Sequence, residues 1–356
     1  MKVAIYSPYL DSAGGGEKYM LTIAEFLSIK EPVDILIDTN LNNKDIKGVI
    51  SRIEKMHNLD LSRINTVRAP LGPNSNPIKR LLFLKSYDLL IYLSDGSVFL
   101  SSAKKSIVHF QMPIEIVGKS YWEILKYNSW KSILYNSEFT KKHIENNLLL
   151  PSKVVYPPVD IESFKPLKKR KKILSVGRFT IFKKHRKMIE VFKEIFSLEK
   201  TKDLELHLAG GTATGDAEDI EQLKKISKGF PIYIHQNIDF KELVNLYGET
   251  MIYWHAAGFE EKDPKKMEHF GISTVEAMAS GAVPIVIAQG GQKEIIEDQK
   301  SGLLWSSVEE WIEKTSMILN DKKLQQKLSQ NAINRSKLFS KERFCKQIAE
   351  VVYGDD

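Results

Sequence analysis

Cysteine is almost missing from this sequence: Cys345 is the single one in 356 residues. One thiol excludes an internal disulfide and any zinc site built on cysteine pairs. No run of about 20 apolar residues occurs, so no segment reads as a bilayer-spanning helix. The opening Val3-Ala4-Ile5-Tyr6, followed by Pro8 and Asp11, lacks the charged start, apolar middle and small-residue cleavage site of a signal peptide. There is no Asp-x-Asp pair to hold a divalent cation. No low-complexity tract interrupts the chain. These absences lead to the expectation of a cytoplasmic protein with no metal and no bound cofactor.

What is present begins with charge. The net charge is +7, and the excess crowds into the second half of the N-terminal region. Lys79, Arg80, Lys85, Lys104, Lys105, Lys119, Lys126, Lys131, Lys141 and Lys142 all fall there. Such a surface suits anionic lipid, a pyrophosphate-bearing acceptor or nucleic acid; an ordinary solvated lysine-rich face explains it as well. No nucleic-acid-binding module accompanies the charge, and a nucleic-acid partner is not expected. Tyr121, Trp122, Ile124, Leu125, Tyr127 and Trp130 are interleaved with Lys119, Lys126 and Lys131. That mixture fits either a helix docked peripherally on a membrane or an aromatic core helix.

Short β-rich apolar runs alternate with helical patterns, the signature of parallel sheets covered by helices. The length suggests two such domains of about 150–200 residues each. The strands expected first are Val3–Ser7, Val33–Ile37, Leu89–Leu93, Ile107–His109, Ile133–Asn136 and Val154–Tyr156. Pro157, Pro158, Pro166 and the basic run Lys168–Lys172 then read as a linker. A second series follows at Ile173–Val176, Leu204–Leu208, Ile232–His235, Met251–Trp254 and Val283–Ile287. The expected fold is therefore α/β with two doubly wound Rossmann-like domains, residues 1–160 and 161–335, and a terminal helix in 336–356. Two such domains put a ligand at the carboxyl ends of their strands.

Three constellations sit where a strand gives way to a helix. In Asp11-Ser12-Ala13-Gly14-Gly15-Gly16-Glu17 the glycines, Gly15 and Gly16 among them, leave backbone N–H groups open to an anion at a helix start. A flexible turn explains the run nearly as well. After Val176-Gly177, Arg178 and Lys183 can converge on a pyrophosphate, or stand as two exposed cations on a loop. In Glu268-His269-Phe270-Gly271-Ile272-Ser273-Thr274-Val275-Glu276, Gly271 permits close backbone approach. Ile272 and Ser273 open a helix toward a ligand, and Glu276 lies one turn in, able to accept from ribose hydroxyls. Glu268 precedes the turn and can face a sugar. Ordinary acidic residues near a helix start are the alternative.

The last segment resembles the E-x7-E motif of the retaining GT-B glycosyltransferases called family 4, or glycosyltransferase group 1. Glu268 and Glu276 fit its spacing, with Phe270-Gly271 inside and Glu-Ala-Met-Ala-x-Gly after. Arg178 and Lys183 resemble that family's Gly-Arg…Lys pair, and Gly14–Gly16 its glycine loop. Tyr156-Pro157-Pro158-Val159-Asp160 is similar to its connector, and Gly290-Gly291 with Glu294-Ile295-Ile296 to its Gly-Gly…Glu-Ile turn. Glu-His-Phe-Gly-Ile is most similar to the mannosyltransferase-like branch. The resemblance covers nearly the whole chain.

Several expectations come from the resemblance alone. It implies a GT-B fold whose terminal helix returns to the first domain. It implies transfer of a hexose, of mannose or glucose type, from a GDP- or UDP-linked donor to a glycan or polyprenyl-linked acceptor, with retention. It also implies that His109 is the active-site histidine reaching the donor sugar; without it, a lone histidine at a strand end reads as structural. Arg178, Lys183 and the helix start would stabilise the leaving diphosphate without a metal. Residues 256–267 form a charged insertion longer than that family's usual loop, either a lid or a solvated excursion. A catalytically weak nucleotide-sugar-binding scaffold subunit is the alternative function.

Overall fold

A computed structural model describes residues 1–12, 14–38, 45–72, 74–94, 96–114, 121–144, 150–199, 203–212 and 217–354. Ala13 of the glycine loop and Lys119 of the basic cluster lie outside the described residues, as do the side chains of Tyr121 and Ile124. The chain divides into two compact units: residues 1–158 with 342–356, and residues 159–341.

The first unit is built on β1 (Val3–Tyr6), β2 (Val33–Ile37), β3 (Asn65–Arg68), β4 (Leu89–Leu93), β5 (Lys105–Phe110), β6 (Ser132–Tyr135) and β7 (Ser152–Val154). They lie in the order β3-β2-β1-β4-β5-β6-β7, and every pairing is parallel. β1, β2 and β4 are buried along their whole length, which is why they read as near-continuous apolar runs, broken only by Asp34 in β2, rather than alternating ones. The order reverses between β1 and β4, and a doubly wound sheet opens its crevice at such a point.

The second unit repeats the plan with β8 (Arg170–Val176), β9 (Glu205–Gly210), β10 (Ile232–Gln236), β11 (Thr250–His255), β12 (Val283–Ile287) and β13 (Leu303–Trp305). Their order is β10-β9-β8-β11-β12-β13, again parallel throughout. Here the switch falls between β8 and β11. Its core stacks Trp305 on Trp311 at 4.2 Å, with Trp254 edge-on to Trp311 at 4.8 Å.

Two strands were not expected from the sequence. β3 is an edge strand of sequence Asn-Thr-Val-Arg, mostly exposed, so it carries no apolar signal. β13 is three residues long. The reading of Lys168–Lys172 as linker is corrected: β8 starts at Arg170, and the run is tied down charge by charge. Lys172 pairs with Glu249 at 2.8 Å and Lys171 with Asp203 at 3.1 Å. Lys169 donates to the Gly248 and Ser280 carbonyls at 2.8 and 2.5 Å. Those carbonyls end the helices Phe240–Glu249 and Ile272–Ala279, where a cation is favoured. Burial pushes this ammonium down to about 7.

The helix Lys341–Tyr353 packs its apolar face on the first unit's core. Phe344, Ile348 and Val352 share that core with Val3, Ile5, Ile23 and Ile91, and Phe344 meets Tyr19 edge-on at 4.8 Å. Lys105 Nζ donates to the last carbonyls of the helix, Val351 O at 2.7 Å and Val352 O at 3.1 Å. Removing the Phe344 ring leaves a cavity in this core. Phe344→Ala is expected to lower unfolding free energy by about 3–5 kcal/mol, read from the urea midpoint; an unchanged midpoint would contradict the packing.

Candidate active site

In the second unit, the carboxyl ends of β8 and β11 collect the residues singled out from the sequence. β8 ends at Val176 and passes through Gly177 and Arg178 to a 3-10 turn, Ile181–Lys183. The Lys183 stem lies over Gly177, where an added Cβ would meet Cε at 3.0 Å. Its ammonium reaches across to Glu268 Oε2 at 2.5 Å. Arg178 stands exposed at the strand end, and among the described residues no carboxylate pairs with it.

Glu268 follows β11 and is joined there by a residue the sequence reading did not select. His255, at the end of β11, places Nε2 2.9 Å from Glu268 Oε2. Burial pulls the Glu268 carboxyl up, but the Lys183 charge and the His255 hydrogen bond outweigh it and hold the group well below the usual carboxylate range. The carboxylate is therefore charged at neutral pH.

The helix Ile272–Ala279 begins on Gly271, whose φ of 119° excludes other residues from the N-cap. Intrahelical bonding starts with Thr274 N–H to Gly271 O at 3.0 Å, so the N–H groups of Ile272 and Ser273 have no acceptor within the helix. Phe270 is buried and packs edge-on to Phe339 at 5.5 Å. The segment 268–270 lies against the Gly290-Gly291 turn. Gly291 N–H donates to Glu268 O at 2.8 Å, and a Cβ at Gly291 would meet His269 O at 2.5 Å and the Phe270 Cα at 2.6 Å.

Two tyrosines complete the network. Tyr247 donates to Glu276 Oε2 at 3.0 Å, with Ser273 O 3.2 Å away. Tyr253 lies 2.8 Å from Ser273 Oγ and 3.4 Å from Val176 O, joining the helix start to β8. Burial raises both phenols, and the Glu276 charge adds to it, so both remain protonated donors. Tyr253 and His255 alternate on β11 with Ile252 and Trp254, which face the core. That period of two was the signal available for finding them.

Residues 256–267 are anchored to the unit, while Glu260, Lys262, Lys265 and Lys266 are exposed. Phe259 packs against Trp305 at 5.4 Å, Asp263 caps a 3-10 turn at Pro264–Lys266, and Glu261 pairs with Lys184 at 2.8 Å. The insertion is thereby tied to the loop that carries Lys183.

In the first unit, Gly15 and Gly16 open the helix Gly15–Ser28. The helix start carries its own carboxylate: Glu17 accepts from Gly14 N–H at 2.9 Å and from Ser7 Oγ at 3.1 Å. Gly16 lies against the Gln111 amide, which an added Cβ would meet at 2.2 Å. Gln111 was not selected from the sequence. His109, at the end of β5, is wholly buried and stacks on Tyr19 at 4.0 Å. Its Nδ1 is 3.2 Å from Leu134 O, so Nδ1 carries the proton and Nε2 is a bare acceptor without a partner among the described residues.

Burial drives His109 and His185 down to about 3 and His207 to about 4. Unfolded histidine titrates near 6.5, so below that pH the unfolded chain binds protons the folded chain refuses. The histidine contribution to stability is expected to be full above about pH 6.5 and to be lost steadily toward pH 4. Urea midpoints at stepped pH measure it. His109→Phe, which keeps a ring on Tyr19 but cannot titrate, should flatten that decline, and an unaltered slope would refute the assignment.

Residues 159–335 match the family described as glycosyl transferases group 1. A GDP-Man:Man(3)GlcNAc(2)-PP-Dol alpha-1,2-mannosyltransferase of Dictyostelium discoideum is 26% identical over 297 residues, covering 73% of this chain and 57% of its own. The protein of the same name from Homo sapiens is 31% identical over 245 residues, covering 62% of this chain and 47% of its own. This chain thus spans about half the length of these relatives. Among solved structures, sucrose-phosphate synthase from Thermosynechococcus elongatus has a TM-score of 0.71 over 99% of this chain and 98% of its own, at 17% identity. That likeness is one of fold. With two parallel Rossmann-like sheets and the family match over nearly all of the second unit, the chain has the GT-B fold and its residues 159–335 belong to the group 1 glycosyl transferases.

Proposed function

We propose that the protein transfers a hexose, of mannose or glucose type, from a GDP- or UDP-linked donor to a glycan or polyprenyl-linked acceptor, with retention and without a metal. The observation that carries this is the clustering of Lys183, Glu268, Ser273 and Glu276 at the β8–β11 switch point. The mannosyltransferase relatives support the donor and acceptor classes.

The residues suit the charges such a step develops. When the bond between the anomeric carbon and the diphosphate oxygen breaks, its electron pair leaves with the phosphate. The exposed Arg178 guanidinium, Lys183 and the N–H groups of Ile272 and Ser273 would stabilise that anion. Glu276 would accept from ribose hydroxyls, and Glu268 would face the sugar beside Phe270 and Gly271. The acceptor hydroxyl would add to the same face of the sugar, its proton passing to the departing phosphate oxygen. For the first unit, Gly15 and Gly16 as donor-binding residues and His109 as a catalytic residue rest on the resemblance alone.

The proposed setting is peripheral, at the cytoplasmic face of a membrane. Among the described residues no helix is long and apolar enough to cross one. The aromatic segment divides in two: Tyr127 and Trp130 are core residues, whereas Trp122 is 73% exposed and Leu125 stands beside Lys126. Ile78 and Leu82, on the helix Pro77–Leu84, are 68% and 70% exposed. Arg80 of that helix covers Phe99, which packs on Trp130. Apolar tips among lysines suit an anionic lipid surface. Flotation with anionic vesicles at low salt should capture the protein, and Trp122→Ala with Leu82→Ala should weaken capture; no binding would retire this setting.

Thermal shift across GDP-, UDP- and ADP-sugars should give selective stabilisation by one donor. With that donor, Arg178→Ala and Glu268→Ala are each expected to lose transfer by on the order of 100-fold or more, and product NMR should show the donor's anomeric configuration. Wild-type turnover in both variants would sink the proposal. Donor binding with no transfer by the unmutated protein would favour the scaffold reading.

A further inference from the structure

The Glu268 carboxylate makes both of its bonds through one oxygen. Lys183 Nζ and His255 Nε2 meet at Oε2, at 2.5 and 2.9 Å, and Oε1 has no partner among the described residues. A carboxylate held this way cannot rotate without breaking two bonds, so Oε1 keeps one direction. The two donors differ in kind. Lys183 is a flexible cation from the loop after β8, whereas His255 is a rigid ring at the end of β11, its side chain 2% exposed.

The protonation of that ring follows from its neighbours. Nε2 faces a carboxylate and must carry hydrogen, which leaves Nδ1 as a bare lone pair. Nδ1 is buried and unpartnered. His255 commits its one hydrogen bond to Glu268 and, like His109, leaves its other nitrogen unpaired.

We propose that His255 is a positioning residue for glycosyl transfer, fixing Oε2 of Glu268 against Lys183 so that Oε1 is presented to the donor. This rests on the reading of Glu268 as a donor-facing group. The surroundings suit a neutral donor rather than a second cation. Among the described residues, Lys183, Tyr253, His185 and His269 are the charged and titratable groups that act on the pair, and burial lowers all three histidines, against the Glu268 charge at His255 and His269. At neutral pH the pair Lys183–Glu268 is then the charged part of the cluster. A third charge would pull the carboxylate out of alignment, where a neutral N–H orients it.

The test compares His255→Leu, His255→Gln and His255→Asn, with Glu268→Gln in parallel. The glutamine amide extends to where Nε2 lies, and the asparagine amide stops short of it. In His255→Leu, kcat is expected to fall on the order of 10- to 100-fold, the scale of an ångström's misplacement, with donor KM little changed. The acid limb of kcat/KM should move to higher pH as Glu268 loses a donor. His255→Gln should restore most of kcat and the limb, and His255→Asn should not, at matched urea midpoints. Equal behaviour of Gln and Asn, or an unmoved acid limb in all three, overturns the role of His255. Full activity in Glu268→Gln instead overturns the site reading itself, so the two failures are distinguishable.

Discussion

A charged carboxylate kept largely out of water must be given partners, and around Glu268 that requirement organises the second unit's site. An unpaired buried charge is costly, and a pair is tolerated only when its hydrogen bonds are well placed. Lys183 and His255 supply them from the loop after β8 and from the end of β11, the two strands that flank the switch point. Their positions in turn demand a short turn after β8 and a strand β11 whose alternate side chains face the site. Gly291 lets the backbone of 268–270 settle onto the turn after β12, which holds Glu268 within reach. One part-buried ion pair thus links four separate stretches of sequence.

The same economy governs the helix Ile272–Ala279. Its start leaves the N–H groups of Ile272 and Ser273 without acceptors inside the helix, while its end is closed by Lys169, which also closes the neighbouring helix Phe240–Glu249. Tyr247 on that neighbour holds Glu276. A cation at one end and a phenol at the middle fix the helix in register, so Ser273 and Glu276 are placed by packing rather than by any ligand. Preorganised donors cost no rearrangement when charge develops.

Much of this was legible in the sequence because it depends on local pattern. Fully buried parallel strands such as Val3–Tyr6 and Val283–Ile287 advertise themselves as apolar runs, and the Glu268–Glu276 spacing sets a carboxylate before a helix and another one turn inside it. The unread parts depend on neighbours distant in sequence. Whether Lys169 is a solvated cation or a cap on two helices is decided by Gly248 and Ser280, 79 and 111 residues away. His255 looked like a flank to the insertion, and only its 2.9 Å approach to Glu268 distinguishes it. β3 escaped because an exposed edge needs no apolar side chains. The reverse error, taking Lys168–Lys172 for a linker, arose because charge usually marks solvent, whereas Lys169, Lys171 and Lys172 each have an acceptor.

The terminal helix has a consequence for how the chain comes into being. The first unit's core includes Phe344, Ile348 and Val352, which are made after all of residues 159–341. As the polypeptide emerges from the ribosome, the second unit has every part of its interior before the first one does. The earlier-made sheet must wait with an apolar face uncovered until the last stretch arrives. A gene cut at residue 158 therefore encodes a fragment with an exposed apolar floor, prone to self-association, whereas one spanning 159–341 carries a full interior.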